Sequence, residues 1–275
     1  MSNRSTTQVP GSQNMETIQK QPIQNHFFSD LSVMLGRSMR HIFRSVDTIF
    51  TVTITPIAMM LLFVYVFGGA IQTGTANYVN YLLPGIFLIA IASAVAYTAY
   101  RLFNDVQKGI IERFRSMPIA PSTLLWGHVL TSLVSNALSL VVILLVALIM
   151  GFRSEASILS WLAVVGILAM FTLAVTWVAV IAGLTARSME GATAFSYPLI
   201  FLPFISSAFV PTRSMPLVVR VFAENQPVTA IVNTIRALLA GQPVSQEIWV
   251  ALAWCIGIML VAYIVAMRIY QKRVS

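Results

Sequence analysis

The sequence predicts an all-α integral membrane protein that crosses the bilayer six times. Of its 275 residues, 57% are hydrophobic and only 9% are charged, whereas about a quarter of the residues of a soluble domain are charged. Long uncharged stretches recur along the chain, and about 20 apolar residues in a helix cross the roughly 30 Å hydrocarbon core of a bilayer. We therefore expect most of the surface to contact lipid.

Six apolar stretches supply the predicted spans. No Asp, Glu, Lys or Arg occurs from Thr48 to Tyr100. This stretch is too long for one span, and it is interrupted by Gly68-Gly69 and by the polar residues 72–77. The same reasoning divides the rest of the chain, and the predicted spans are 48–70, 81–100, 124–150, 158–185, 193–209 and 248–267.

The distribution of Lys and Arg predicts that both termini lie in the cytoplasm. With the N-terminus inside, 13 of the 17 basic residues fall on the inner side, and only Arg153, Arg213, Arg220 and Arg236 fall on the outer side. Cytoplasmic loops carry such an excess of basic residues. The formal net charge of +8 therefore reflects membrane topology, and we expect no nucleic-acid partner.

The first 26 residues differ in composition from the rest of the chain. Residues 1–26 are rich in Ser, Thr, Gln and Asn and contain no apolar core of a signal peptide, so we expect a disordered cytoplasmic tail. Residues 27–275 then form the membrane domain. Its single cysteine, Cys255, excludes an internal disulfide.

Two segments outside the predicted spans are amphipathic. In residues 27–46, apolar side chains recur at mostly helical spacing and arginines occupy another face, which predicts a helix in the inner headgroup layer. In residues 103–118, apolar side chains recur at steps of three and four, and charged side chains lie opposite until Pro118 ends the helix. The arginines of the first segment are Arg37, Arg40 and Arg44, and the apolar positions of the second are Phe103, Val106, Ile110, Phe114 and Met117.

The segment 211–247 is predicted to lie outside the cell. It contains a break at Asn225-Gln226-Pro227, followed by apolar positions at helical spacing and then Gly241. Proline suits the first turn of a helix, and glycine suits the position just past its end. We expect a helix of about 13 residues here, which is too short to span the bilayer and dips partway into the outer leaflet.

The sequence contains no pattern for energy-converting chemistry. It has no Gly-x-x-x-x-Gly-Lys-Ser/Thr phosphate loop, and its histidines lack metal-ligand spacing, so we expect no nucleotide, metal or other cofactor in the chain itself. No acidic residue lies inside a predicted span, although proton-coupled exporters usually carry one. Candidate path residues are therefore neutral polar groups, for which packing between helices is an equal alternative: Ser93, Tyr97, Tyr100, Asn136, Ser196 and Tyr197.

Two parts of the sequence carry a resemblance to a known family. The stretch Glu112-Arg-Phe-Arg-Ser-Met-Pro-Ile-Ala-Pro121 resembles the cytoplasmic segment of ABC-2 type transporter permeases. The stretches Ser206–Pro216, Phe222–Val228 and Ala237–Pro243 are similar to the outer loop of the daunorubicin- and doxorubicin-resistance exporter branch, most specifically at Ala-Glu-Asn-Gln-Pro. The resemblance extends in order over nearly the whole chain beyond the tail.

The resemblance implies a permease subunit in the plasma membrane of a prokaryote. It implies a second permease copy, two copies of a separate cytoplasmic ATPase that binds ATP and Mg, and hydrophobic or amphipathic cargo such as a drug, an antibiotic or a lipid. The identity of the cargo, and the choice between homodimer and heterodimer, stay open.

The resemblance also implies roles for particular segments. Residues 27–46 become the connecting helix, residues 103–118 the coupling helix, and the outer loop a re-entrant helix pair between spans five and six. The implied contacts with the ATPase are Phe103, Lys108, Ile110, Glu112, Arg113, Phe114, Arg115 and Met117, and the marked outer-loop residues are Glu224, Asn225, Gln226 and Pro227.

Two other function classes remain open on the sequence. One is a secondary drug exporter driven by protons or another gradient, against which the uncharged spans argue. The other is a non-transporting membrane scaffold or immunity protein, from which co-purification of an ATPase would distinguish a permease.

Overall fold

The computed structural model describes residues 46–69, 71, 77–109, 122–243 and 246–274, and every regular element in these ranges is a helix. In chain order the α-helices are α1 (Val46–Leu61), α2 (Tyr78–Gln107), α3 (Ser122–Ile149), α4 (Ile158–Thr185), α5 (Met189–Ala194), α6 (Ser196–Phe201), α7 (Leu217–Asn225), α8 (Pro227–Leu239) and α9 (Glu247–Val274). Four of these helices, α2, α3, α4 and α9, are long and apolar enough to cross a membrane, as expected for an all-α membrane protein.

These four long helices correspond to predicted spans two, three, four and six. The bounds of α4 agree with the prediction, but α2 continues seven residues beyond position 100, to Gln107. The sequence predicted a separate helix over 103–118, and its predicted start is wrong, since Phe103 lies inside α2. The helix extends this far because no proline or glycine follows Gly85 until Gly109, which has a positive φ of 65° that favours glycine.

Predicted spans one and five have irregular counterparts. Helix α1 contains Pro56 and passes into a π-helical turn at Leu62–Phe67, so an apolar helical run covers most of 48–70. The fifth span was predicted as one helix over 193–209, and this is wrong, because the chain forms α6 and then a 3₁₀ turn at Leu202–Ile205. Pro198 and Pro203 lie in this segment and have no N–H to donate, which weakens a regular helix.

Helix α2 lies at the centre of the bundle, and two glycines bring its neighbours close. A Cβ on Gly183 of α4 would lie 2.8 Å from the backbone oxygen of Ala99. A Cβ on Gly85 of α2 would lie 2.6 Å from the Cβ of Ala208. Small residues at such positions allow backbones to approach closely, as is typical of packed helices in membranes.

The outer faces of the bundle are apolar. Ile149 and Ile158 are 86% and 82% exposed, and Trp249 and Val261 of α9 are 71% and 64% exposed. A water-soluble surface rarely collects so many large apolar side chains. Since these residues lie on helices long enough to span a bilayer, lipid is the solvent that fits this surface.

The bundle has two ends that differ in chemistry. At one end Asn80 of α2 exchanges two hydrogen bonds with the backbone of Arg153, at 2.9 and 3.2 Å, and Ser154 donates to the Leu239 oxygen at the end of α8, at 2.8 Å. We call it the arginine end, after Arg236 of α8. At the opposite end α2 finishes beside the start of α3, where Asp105 contacts His128; we call it the histidine end.

Candidate functional site

The structure separates the six candidate path residues into three groups by exposure. Asn136 and Ser196 are each only 2% exposed, so they pack inside the subunit. Tyr197 is 60% exposed. The remaining three, Ser93, Tyr97 and Tyr100, are partly buried on α2, where the rings of Tyr97 and Tyr100 lie 5.9 Å apart.

Asn136 belongs to a buried polar network that joins three long helices. Thr98 of α2 donates to Ser132 of α3 at 3.1 Å, and Ser132 lies 3.3 Å from the hydroxyl of Thr176 on α4. The amide nitrogen of Asn136 donates to the backbone and the hydroxyl of Ser132, at 2.9 and 3.3 Å. All four side chains are neutral, so the network binds helices to one another without carrying a charge. Sequence reasoning found Asn136 and missed its three partners, which only the packing brings together.

An apolar cavity of about 220 Å³ lies between α3 and α4. Its walls include Phe87, Leu140, Trp161 and Leu168. Thr172 in the wall donates its hydroxyl to the Leu168 oxygen at 2.7 Å, and Trp161 contributes an indole ring with one N–H donor. The wall of the cavity is therefore mostly apolar.

Arg236 organises the arginine end. Its guanidinium donates to the Tyr81 oxygen at 3.1 and 3.2 Å, to the Ser207 oxygen at 2.7 Å, and to Oδ1 of Asn233 at 3.0 Å. It also lies 3.7 Å from the centroid of the Tyr81 ring, a favourable cation–π position. A lone arginine within an apolar helix was visible in the sequence, but its partners were not.

The predicted outer-loop residues lie at the end of α7 and the start of α8. Pro227 begins α8, a helix of 13 residues, and Gly241 follows the helix with a positive φ of 64°, so the predicted short helix is confirmed. Gln226 is buried at 5% exposure and donates its side-chain amide to the Leu202 and Ile205 oxygens. It thereby ties the start of α8 to the segment that follows α6.

Glu224 and Asn225 occupy the exposed end of α7. The Glu224 carboxylate accepts from Nε of Arg220 at 2.9 Å and from the Thr212 hydroxyl at 3.1 Å. The hydrogen bond from Arg220 is the main cause that lowers the pKa of Glu224 below its usual value. Asn225 donates back to the Val221 oxygen within the same helix, at 2.8 Å. These contacts stabilise the loop locally.

The histidine end carries a polar side-chain contact that sequence reasoning did not find. Nε2 of His128 lies 3.1 Å from Oδ2 of Asp105, and the guanidinium of Arg101 lies 5.2 Å from the Tyr97 ring centroid. No sequence pattern signals a pair between residues so far apart in the chain. Phe103 beside it is buried at 7% exposure, so its ring packs within the bundle.

Several predicted site residues lie outside the described residues. This applies to the tail 1–26 and to the three arginines of the connecting segment. Of the predicted ATPase contacts, only Phe103 and Lys108 are described, and Lys108 is exposed at the end of α2. The undescribed residues are Arg37, Arg40, Arg44, Ile110, Glu112, Arg113, Phe114, Arg115 and Met117.

Comparison with known proteins identifies the family. The ABC-2 type transporter family matches residues 29–240, which is most of the chain. The chain is also similar to the daunorubicin resistance ABC transporter permease protein DrrB1 of Streptomyces coeruleorubidus, with 26% identity over 226 residues, 81% of this chain and 79% of that protein. The helical bundle described above agrees with a membrane permease. The chain therefore belongs to the ABC-2 type transporter family.

Proposed function

We propose that this chain is the membrane permease subunit of an ATP-driven exporter that moves hydrophobic or amphipathic molecules out of a prokaryotic cell. The observation that carries the proposal is the family match over residues 29–240. The relative from Streptomyces, whose name refers to daunorubicin resistance, supports a drug as the cargo class.

The proposed topology has six spans, with the histidine end and both termini in the cytoplasm. Helix α1 with its π turn serves as span one, and the segment Met189–Ile205, which is apolar but irregular, serves as span five. The pair α7 and α8 re-enters the outer leaflet between spans five and six. The basic residues support this orientation, since loops with more Lys and Arg favour the cytoplasmic side.

The energy source in this proposal is a separate ATPase. Two copies of it bind ATP and Mg and act on residues 103–118 at the histidine end, with Lys108 and Glu112 among the polar contacts. A second copy of the permease, identical to the first, completes the assembly. Nucleotide-driven closure of the ATPase pair shifts the bundle between two packings, one open inward and one open outward.

The four-residue polar network buried between the long helices supports this mechanism, because it offers no site for proton coupling. Thr98, Ser132, Asn136 and Thr176 are hydroxyl or amide side chains, none of which takes up or releases a proton near neutral pH. The apolar cavity and the neutral network suit cargo that carries little charge. Among the path candidates, Tyr97, Tyr100 and Tyr197 keep exposed surface for such cargo, whereas Asn136 and Ser196 stabilise the subunit.

The test is ATP-dependent uptake of daunorubicin, other hydrophobic drugs and lipids into inverted vesicles that contain the permease and its ATPase. We expect accumulation with ATP and Mg, and none with a non-hydrolysable ATP analogue. A protonophore should leave the uptake unchanged if ATP alone drives it. Uphill uptake by the permease without any ATPase, or uptake that the protonophore abolishes, would contradict the proposal.

A further inference from the structure

The side-chain contact between Asp105 and His128 joins the two helices between which the chain leaves and re-enters the bundle. Asp105 lies in the last turn of α2, three residues before Lys108, and His128 lies in the second turn of α3. The whole of 106–127 is therefore bracketed by one contact between two side chains, 3.1 Å apart.

The surroundings of the pair shield it partly from water. The His128 side chain is 12% exposed and the Asp105 side chain is 30% exposed, so salt screens this contact less than a fully exposed pair. Arg101 lies one turn before Asp105 on α2 and interacts with it electrostatically.

The packing around the pair holds both helices against α4. Leu102 of α2 and Leu125 and Val129 of α3 are fully buried in one apolar cluster with Trp177 of α4. Farther into the bundle, the hydrogen bond from Thr98 to Ser132 joins α2 and α3 a second time, at 3.1 Å. Two polar contacts at successive levels therefore join α2 to α3.

We propose that Asp105 and His128 are positioning residues for energy coupling. Their contact fixes the separation of the helix ends that bracket 106–127, so a displacement of that segment passes to α2 and α3 together. Without the contact, relative movement of the two helix ends absorbs part of the displacement. This inference rests on the proposed function, in which an ATPase acts on the bracketed segment.

The test measures the ratio of transported substrate to hydrolysed ATP in proteoliposomes that hold the permease and its ATPase. Asp105→Ala and His128→Ala should each lower this ratio about fivefold or more, the lower range of coupling between distant sites. ATPase co-purification and the rate of ATP hydrolysis should stay near the wild-type values. The double variant should be no worse than either single variant, because both changes remove the same contact.

Two further variants separate this role from general damage to the fold. His128→Gln keeps a side-chain hydrogen-bond donor and should restore part of the ratio. Arg220→Gln removes an ion pair elsewhere, the exposed contact with Glu224 at 2.9 Å, and should leave the ratio unchanged. If the alanine variants do not fold, the same comparison of single and double variants can be made with Asp105→Asn and His128→Gln.

A chemical cross-link distinguishes a permanent clamp from a contact that must open. Cysteines placed at positions 105 and 128 in a Cys255→Ser background can be bridged by a short bifunctional thiol reagent, since the chain has no other cysteine. Bridging should restore the ratio that the two cysteine substitutions lower. If bridging instead stops transport, the contact opens during the cycle and the inference is overturned.

Three further outcomes separate failure of the clamp from failure of the proposed function. An unchanged ratio in Asp105→Ala and His128→Ala, in a complex whose wild type is active, overturns the clamp and leaves the proposed function standing. Additive losses in the double variant overturn it as well, since the two residues would then act separately. A wild-type complex that shows no ATP-driven transport of any screened substrate overturns the proposed function and this inference together.

Discussion

The arginine end and the histidine end of the bundle are built from different kinds of contact. At the arginine end one guanidinium binds acceptors from α2, from α8 and from the segment after α6. At the histidine end one carboxylate meets one imidazole, and both keep some exposure to solvent. The arginine end is thus held by several hydrogen bonds of one side chain, whereas at the histidine end α2 and α3 meet through the Asp105–His128 contact and the apolar cluster around Leu102.

This difference has a mechanical consequence. A charged group with several hydrogen-bond partners fixes their relative positions, because moving any one of them strands a buried polar atom. The contact between Asp105 and His128 constrains fewer atoms, although the apolar cluster around Leu102 and the Thr98–Ser132 hydrogen bond also hold α2 and α3 together. We therefore expect the arginine end to be the more rigid of the two.

The largest expected effect is at Arg236. Arg236→Leu should lower the free energy of unfolding by about 3 kcal/mol or more, because hydrogen bonds to charged groups contribute about 1.5–3 kcal/mol each. Thermal unfolding of the purified protein and its yield in the membrane measure the loss. Arg236→Lys should recover only part of it, since an ammonium lacks the planar fork of donors. Wild-type stability in Arg236→Leu would contradict the rigid arginine end.

A second prediction concerns the close contact between α2 and α4. Gly183→Ala should destabilise the protein by about 1–3 kcal/mol, the usual effect of overpacking, because the new Cβ would lie 2.8 Å from the Ala99 oxygen. Gly166→Ala on the same helix is the matched control, since no atom lies within 4 Å of a Cβ there. Equal melting temperatures for the two variants would show that α2 and α4 can separate freely.

A third prediction concerns the network between the two ends. Ser132→Ala should cost about 1 kcal/mol, within the range measured for hydrogen bonds between membrane helices, because Thr98 and Thr176 both lose a partner. Ser139→Ala should cost less, as the Ser139 hydroxyl donates only to the Ser135 oxygen of its own helix, at 3.0 Å. The comparison of their melting temperatures tests whether the network joins helices, and a larger loss in Ser139→Ala would argue against it.

The smallest expected effect is the acid response of α7. The folded-state pKa of Glu224 is lowered, so its contact with Arg220 stabilises the loop above the usual carboxyl pKa. That stabilisation is lost as the pH falls through the lowered value. Because both side chains are exposed, a difference between wild type and Glu224→Gln should be small at neutral pH and vanish in acid. Melting curves at neutral and acidic pH check this. A stability difference between the two proteins that grows in acid would contradict the prediction.

The sequence predicted the long helices well because their signal is local. Charge-free stretches predicted the four long helices and the bounds of α3 and α4 to within two residues, whereas α2 and α9 each continue seven residues beyond the predicted ends. Pro227 with Gly241 predicted the bounds of α8 from the conformations that those residues prefer. The same signal failed at 193–209, where an apolar stretch contains two prolines and forms a broken helix. Hydropathy measures the preference for lipid, and it does not register a missing N–H donor.

By itself the sequence determined that this protein lies in a lipid bilayer and roughly where its long helices are. Through the resemblance at 112–121 and 206–243 it also indicated the family. Only the tertiary structure decided which polar groups meet. Arg236 and Tyr81, or Asp105 and His128, are distant in the chain, and nothing in their local sequence specifies a partner. Such pairs form where packed helices bring buried polar atoms together, because an unpaired polar atom in an apolar interior is costly.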